Sequence, residues 1–130
     1  MGQHGSVNDL ILKEECFKIV GLCMEVHREL GKGHNEVIYK DALEYEFRGH
    51  DIAFAREQQF SISYKKTQLP HTYFADFVVY DKILLAAKAI ESLTESHLRQ
   101  VLNYLAASKL KLGLLANFGE DSLTWKRVVL

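Results

Sequence analysis

The first third of the chain carries hydrophobic residues at helical spacing. One such segment covers residues 8–30 and is followed by Gly31, a common helix terminator, and a second covers residues 35–48. We predict two amphipathic helices here, because side chains three and four residues apart share one face of a helix. The predicted inward residues are Leu10, Ile11, Phe17, Val20 and Met24 in the first helix and Val37, Ile38, Ala42, Leu43 and Phe47 in the second.

The hydrophobic pattern changes its period in the middle of the chain. Residues 60–64 alternate between hydrophobic and polar, which predicts a half-buried strand. Residues 73–80 and 83–90 predict two further strands, and the short link between them predicts an antiparallel hairpin. Pro70 precedes the second strand, at a position where a strand start or a sheet edge tolerates proline.

The last part of the chain predicts a helix between two strands. Ser92 and Glu95 have the spacing of a capping box, which predicts a helix that continues to residue 108. Residues 112–118 form a continuous hydrophobic run, typical of a strand buried on both faces, and residues 123–130 predict a final strand. Because strand, helix and strand follow one another, we expect a right-handed crossover and a parallel pair.

The predicted element order is helix, helix, three strands, helix, strand, strand. This order is that of an α/β fold in which a mixed β-sheet is flanked by helices. We expect residues 1–7, which are polar and rich in glycine, to form a disordered leader. Residues 8–130 are expected to form a single domain, since a chain of 130 residues fits one domain.

Composition and motif content exclude several classes of function. The formal net charge of −1 argues against coating of nucleic acid by bulk charge, although a local basic groove is compatible with it. No hydrophobic run reaches the length of a membrane span, so we expect no membrane partner. Cys16 and Cys23 are too far apart on one helix for a disulfide, and free thiols favour the reducing cytoplasm. Zinc-type His/Cys pairs, phosphate loops and serine elbows are lacking.

Two charged residues stand within hydrophobic strand segments. Asp76 lies in the predicted second strand, and Lys88 lies in the most hydrophobic run of the chain. Each has an explanation without function: a structural ion pair for Asp76, and a side chain that extends to the surface for Lys88. In the predicted hairpin, however, they lie on neighbouring strands, and Lys88 shares a face with Ala86 because side chains alternate. A buried acid and a buried lysine on paired strands make a candidate catalytic site.

This arrangement resembles the PD-(D/E)XK nuclease pattern, in which an aspartate on one strand precedes an acid-x-lysine on the next. Two carboxylates on adjacent strands can hold Mg²⁺, and the lysine can orient or activate the attacking water. The chain also resembles the small bacterial GxxExxY proteins of that superfamily. The matching segments are residues 26–31, residues 33–39 with the naming motif, residues 75–77, Gln100 with residues 103–105, and residues 113–115 with 117–119.

The resemblance implies a restriction-endonuclease-like fold and a hydrolase that uses Mg²⁺ or Mn²⁺ to cut the phosphodiester bonds of nucleic acid, DNA in the first place. It implies that Glu36 reaches the site from a helix and that Asp76 and Glu36 hold the metal. Lys88 is implied as the catalytic lysine and Gln100 as a polar residue on the following helix. Without the resemblance, Glu36 is a first-turn acid favoured by the helix dipole, and Gln100 is a solvated helix position.

One acid of the implied metal site is missing. Ala86 occupies the position where the resemblance leads us to expect glutamate, and no acid within two residues on that strand replaces it. Because a charge and a coordination position are lost together, we expect weak metal binding and impaired hydrolysis. Ala86 fits both natural loss of activity and a substitution that traps an inactive form. Three functions stay open: an impaired nuclease, a non-catalytic module that binds nucleic acid or protein, and a homodimer formed through the last strand.

Nucleic-acid contacts would come from scattered basic residues. A few lysines give affinity for phosphates without sequence specificity, and the alternative is that these charges are merely solvated. We interpret His27, near the glycine-rich turn, as a packing or capping residue. The basic candidates are Arg56, Lys65, Lys66, Lys109, Lys111, Lys126 and Arg127.

Overall fold

The computed structural model describes residues 6–130, with side chains described from residue 12 onward. Its three helices and five strands follow the predicted order. The first helix begins at Ser6, inside the predicted leader, whose residues 1–5 lie outside the described residues. The elements are α1 (Ser6–Leu30), α2 (Glu36–Gly49), β1 (Phe54–Tyr64), β2 (Thr67–Val79), β3 (Ile83–Lys88), α3 (Glu95–Ser108), β4 (Leu112–Asn117) and β5 (Thr124–Val129).

The five strands form one mixed sheet in sequence order, β1-β2-β3-β4-β5. β2 and β3 pair antiparallel, which confirms the predicted hairpin. β3 and β4, which precede and follow α3 in the chain, pair parallel, which confirms the predicted parallel pair. β1 pairs antiparallel with β2, and β5 pairs antiparallel with β4, so β1 and β5 are the edge strands.

Helices cover both faces of the sheet. Neighbouring residues of β3 alternate between the faces: Leu85 belongs to the core shared with α1 and α2, and Leu84 belongs to the core beside α3. β4 is buried along its whole length, as its continuous hydrophobic run predicts. No helix within the described residues is long and hydrophobic enough to cross a membrane.

β1 and β2 extend well beyond the predicted strands. β1 begins at Phe54 and β2 at Thr67, and both added parts are mostly exposed. Their polar side chains do not alternate with hydrophobic ones, so periodicity could not detect them. Pro70 lies where the β1–β2 register shifts, which is a position that needs no ladder hydrogen bond from proline.

The predicted inward faces of α1 and α2 are wrong in part. Phe17 and Met24 of α1 are exposed, as are Val37 and Ile38 of α2, and the side chains of Leu10 and Ile11 lie outside the described residues. The buried stripes include the two cysteines, which the sequence predicts to be buried free thiols, and Tyr39, which was not among the predicted inward residues. They consist of Cys16, Ile19, Val20, Leu22, Cys23 and Val26 in α1 and Tyr39, Leu43 and Phe47 in α2.

The start of α3 also differs in detail from the prediction. The N-cap residue is Thr94, not Ser92, and the backbone N–H of Thr94 donates to Nδ1 of His97 at 3.0 Å. Glu95 is the first residue of the helix rather than its capping partner, which places its charge in the first turn. The helix ends at residue 108, as predicted, and Lys109 follows in the left-handed conformation.

Candidate active site

At Asp76, the alternation of side chains along β2 shifts from one face of the sheet to the other. Phe77 packs into the core with α1 and α2, whereas Ala75 packs into the core beside α3. The ring of Tyr73, two residues earlier, contacts Tyr104 of α3 with 4.8 Å between ring centroids. In a regular strand the side chains of Tyr73, Ala75 and Phe77, which are spaced two residues apart, would all share one face of the sheet. Asp76 therefore projects between the two faces, toward the neighbouring strands.

Two carboxylates lie along the edge of β3 where it has separated from β2. The β2–β3 ladder ends before this point. Oδ2 of Asp76 accepts the backbone N–H of Ala87 at 2.8 Å, and Oε2 of Glu36 accepts that of Ala89 at 3.2 Å. The two donors are two residues apart, or about 7 Å along a strand. Lys88 lies between these two donors in sequence. Asp76 and Glu36 therefore contact the residues immediately before and after Lys88.

Ala86 lies next to Asp76. Continuing the β2–β3 register by one residue beyond the Phe77–Leu85 pair places Ala86 opposite Asp76. Lys88 shares the face of Ala86 by alternation along the strand. The Lys88 side chain is half-buried, and within the described residues its ammonium makes no hydrogen bond or ion pair.

α2 presents a polar stripe to the sheet. Glu36, Lys40 and Glu44 are spaced four residues apart, so they share one face of the helix. Glu36 contacts β3, Lys40 contacts β1 and β2, and Glu44 accepts a hydrogen bond from Arg56 of β1. Glu36 was predicted from the sequence and Lys40 was not, although its spacing of four residues from Glu36 was a signal for it.

Lys40 bridges two acids beside β3. Its Nζ donates to Oε2 of Glu57 at 2.7 Å and to Oδ1 of Asp76 at 3.2 Å. Burial acts to lower the pKa of Lys40, but the hydrogen bonds and charges of Glu57 and Asp76 outweigh it, and the pKa is raised above its ordinary value. Lys40 therefore stays charged and neutralises one of the two carboxylates.

Glu57, which the sequence analysis also missed, lies opposite Asp76 in an interrupted ladder. Arg56 pairs with Phe77 and Gln58 pairs with Ala75, but Glu57 and Asp76 between them do not pair. Glu57 has φ of 55°, a left-handed conformation that is uncommon for a residue other than glycine. Backbone strain of this kind is often found at functional sites.

Gln100 lines a cavity on the α3 side of the sheet and makes no hydrogen bond to Asp76, Glu36 or Lys88. The cavity is about 390 Å³ in volume and lies between β2 and α3. Burial, and secondarily the charge of Asp76, raises the pKa of Tyr104, which lines this cavity. Its lining residues are Tyr73, Ser96, Arg99, Gln100, Asn103 and Tyr104.

The segment of residues 33–39 ties the start of α2 to the site. Gly33 has φ of 109°, a conformation that favours glycine. Glu36 accepts the Ala89 N–H, and the hydroxyl of Tyr39 donates to the carbonyl of Gly31 at 2.6 Å. The ring of Tyr39 stacks on Phe118, with 4.7 Å between centroids. This segment therefore fixes the distance between α2 and the ends of β3 and β4.

The turn after β4 holds the chain that leaves β3. Asn117 is fully buried; its Oδ1 accepts the N–H of Ile90 and its Nδ2 donates to the carbonyl of Ile90, both at 3.0 Å. Gly119 is so close to Ile90 that an added Cβ would lie 2.2 Å from the Ile90 carbonyl oxygen.

His27 contacts the Glu120 carbonyl at 2.8 Å and stacks on Phe118, so it has the predicted packing role.

The acids of this site do not fit a resident metal ion. Among residues 6–130, no group of three or more His, Cys, Asp or Glu side chains is placed to hold one. Both oxygens of Asp76 already accept hydrogen bonds, and the position opposite it carries the methyl group of Ala86. Mg²⁺ needs oxygen ligands in near-octahedral geometry, which one engaged carboxylate and a distant second do not supply.

Two basic candidates make contacts within the chain. Arg56 bridges Asp41 at 2.8 Å and Glu44 at 2.9 Å, and it lies over the ring of Phe77. Arg127 donates a side-chain hydrogen bond to the thiol of Cys16. The exposed basic candidates are Lys65, Lys66, Lys109, Lys111 and Lys126.

Comparison with known proteins identifies relatives at the level of family and fold. A sequence model described as the PD-(D/E)XK nuclease superfamily matches residues 13–128. A solved structure titled "Crystal structure of SSO0001" is 17% identical, with a TM-score of 0.58, and the match covers 71% of this chain and 49% of that chain. This chain thus spans about half the length of that structure, and the likeness concerns the fold alone. No curated protein matches. The helices and mixed sheet are consistent with the restriction-endonuclease-like fold.

Proposed function

This chain belongs to the PD-(D/E)XK nuclease superfamily, and from that premise we propose that it is a nuclease-like protein that binds nucleic acid but cleaves phosphodiester bonds poorly or not at all. The observation that supports the proposal is the pair of carboxylates, Asp76 and Glu36, bonded to the N–H groups on either side of Lys88, next to Ala86, which the extended β2–β3 register places opposite Asp76. This arrangement supports a nuclease site that retains Glu36, Asp76 and Lys88 and carries a methyl group at the fourth position.

Lys88 and its surroundings support binding of a polyanion. The ammonium of Lys88 makes no hydrogen bond or ion pair with the other described side chains, so it is available to a phosphate. The neighbouring cavity combines two tyrosine rings with Arg99 and the amides of Gln100 and Asn103. Aromatic rings stack on bases, and amides can hydrogen-bond to base edges. We therefore assign Gln100 to substrate contact and place DNA first among the nucleic acids.

Ala86 accounts for the impaired hydrolysis. The resemblance gives this position to a metal-binding glutamate, and Mg²⁺ or Mn²⁺ would supply charge stabilisation and an activated water if the site were complete. With Ala86 in place of that glutamate, metal binding and turnover would be weak, whereas substrate binding would persist. Asp76, Glu36, Lys88 and Gln100 then serve as a binding site.

We also assign the chain to the GxxExxY group within the superfamily. Gly33, Glu36 and Tyr39 occupy the naming positions, and each has a contact or conformation that suits its residue type. The two buried free thiols suit a reducing compartment, so we place the protein in the cytoplasm.

The test is binding of labelled single-stranded DNA, double-stranded DNA and RNA by the unmodified chain, measured by fluorescence anisotropy with chelator and with Mg²⁺. We expect DNA binding that weakens as salt rises, since phosphate contacts release counterions. Binding should be independent of Mg²⁺ and the DNA should remain intact. Lys88→Ala should weaken binding several-fold, whereas Lys18→Ala, an exposed control on α1, should not.

Two results would overturn the proposal. Absence of binding to any nucleic acid would leave a protein-binding module or a homodimer as the function, and elution at twice the monomer mass would favour a dimer through the exposed edge of β5. Equal binding by the Lys88→Ala and unmodified chains would remove the assigned site.

A further inference from the structure

Lys40 places a positive charge between two acids of the candidate active site. Its Nζ contacts Glu57 at 2.7 Å and Asp76 at 3.2 Å. The side chains of Lys40 and Asp76 are 14% and 21% exposed, so this contact is largely withdrawn from water. Ion pairs in such a setting are screened much less by salt than surface pairs are.

Three elements hold this contact in place. Lys40 comes from α2, Glu57 from β1 and Asp76 from β2. The second oxygen of Asp76 is fixed by the N–H of Ala87, so the carboxylate cannot turn away from Lys40 without breaking a further hydrogen bond. Glu57 adopts its left-handed backbone conformation at this contact.

We propose that Lys40 is the resident cation of this site. Its ammonium lies between Asp76 and Glu57, at the position that a divalent ion would need. The ammonium, with fixed hydrogen bonds to both acids, balances one of the two negative charges, and Glu57, whose side chain is 47% exposed, is also solvated. The site is therefore complete without metal in this chain. This inference goes beyond the proposed function, because it concerns the acids themselves and is independent of nucleic-acid binding.

Removal of the Lys40 charge should reveal a latent metal site. In Lys40→Met, Asp76 and Glu57 would face one another without a cation. Two carboxylates with nearby water can bind Mn²⁺ or Mg²⁺. Neither the sequence pattern nor the family resemblance places Glu57 in a metal site, so its participation is specific to this structure.

The experiment is a calorimetric titration of MnCl₂ into the complete chain without nucleic acid. The unmodified chain should bind Mn²⁺ at least about tenfold more weakly than Lys40→Met, because a like charge a few ångströms away opposes a cation. Lys40→Arg keeps the charge and should behave as the unmodified chain. Lys32→Met is the matched control, since Lys32 bridges Asp121 on the surface with exposures of 56% and 89%. Lys40→Met combined with Glu57→Gln should lose the added affinity.

Three outcomes would overturn the inference. One is a folded Lys40→Met chain that binds Mn²⁺ no better than the unmodified chain. Another is equal binding with and without Glu57→Gln in that background. The third needs no variant: in the unmodified chain, low concentrations of Mn²⁺ should leave the amide NMR signals of Ala87 and Ala89 unchanged, and selective broadening of both would show that Lys40 does not exclude the metal. This last measurement decides the question even if Lys40→Met does not fold.

Discussion

The carboxylate of Asp76 accepts the backbone N–H of Ala87 at 2.8 Å. This hydrogen bond replaces a ladder bond at the point where β2 and β3 separate, so Asp76 supports the sheet as well as the candidate site. The separation also makes room for Glu36, whose carboxylate accepts the next backbone N–H along the same edge, that of Ala89. The acids that flank Lys88 therefore have a structural role that persists even when catalysis is lost.

The first prediction concerns this double role of Asp76. Asp76→Ala leaves the Ala87 N–H without its acceptor and Lys40 with one partner, so we expect a loss of about 1–3 kcal/mol of unfolding free energy. Asp76→Asn keeps a side-chain oxygen and should lose less. Urea denaturation of both variants measures the difference. Equal and small losses would show that the hydrogen bond contributes little.

The sequence predicted the part of this site that lies in hydrophobic strands. Asp76 and Lys88 were identified because charge is costly in such segments, and the β2–β3 hairpin that joins their strands is confirmed. Glu57 was missed because it stands among polar residues, and Lys40 was missed because a lysine on an amphipathic helix ordinarily lies on the solvated face. Their role depends on which strand α2 packs against, and the period of a helix does not specify that.

The second prediction concerns the turn after β4. Asn117→Ala removes both hydrogen bonds to Ile90 and leaves two backbone groups without partners in a buried setting, so we expect destabilisation of about 2 kcal/mol or more. Asn103→Ala, at an exposed position of α3, is the control and should change stability little. Thermal and urea unfolding give the comparison. Similar stability of the two variants would contradict the bracing role of Asn117.

The third prediction compares two glycines with opposite surroundings. In Gly119→Ala the new methyl group would lie 2.2 Å from the Ile90 oxygen, so the backbone must shift, and we expect a loss of about 2 kcal/mol or more. Gly21 lies in α1 with no atom within 4 Å of the added Cβ. Gly21→Ala should therefore stabilise the chain by about 0.5–1 kcal/mol through helix propensity. Opposite signs in chemical denaturation are the expected result, and destabilisation by both would refute the prediction.

The fourth prediction concerns the two thiols. Burial raises the pKa of Cys23 to about 12, and burial is also the largest cause of the raised pKa of Cys16. Since the thiolate is the nucleophile, both should resist a thiol reagent near neutral pH. Labelling followed by mass spectrometry should find neither modified in the folded chain and both modified in denaturant. Rapid labelling of Cys23 in the folded chain would contradict the buried packing of α1.

The central claim is that this chain has a nuclease site from which one acid is missing, at position 86. The most direct measurement is cleavage of labelled DNA by Ala86→Glu in the presence of Mn²⁺ or Mg²⁺, beside the unmodified chain and Ala86→Gln, which matches the added side chain in size but not in charge. The added carboxylate would supply a metal ligand and a negative charge that offsets the opposing charge of Lys40. We predict metal-dependent cleavage by Ala86→Glu alone, abolished by chelator. A folded Ala86→Glu chain that neither binds the metal nor cuts DNA would contradict the account.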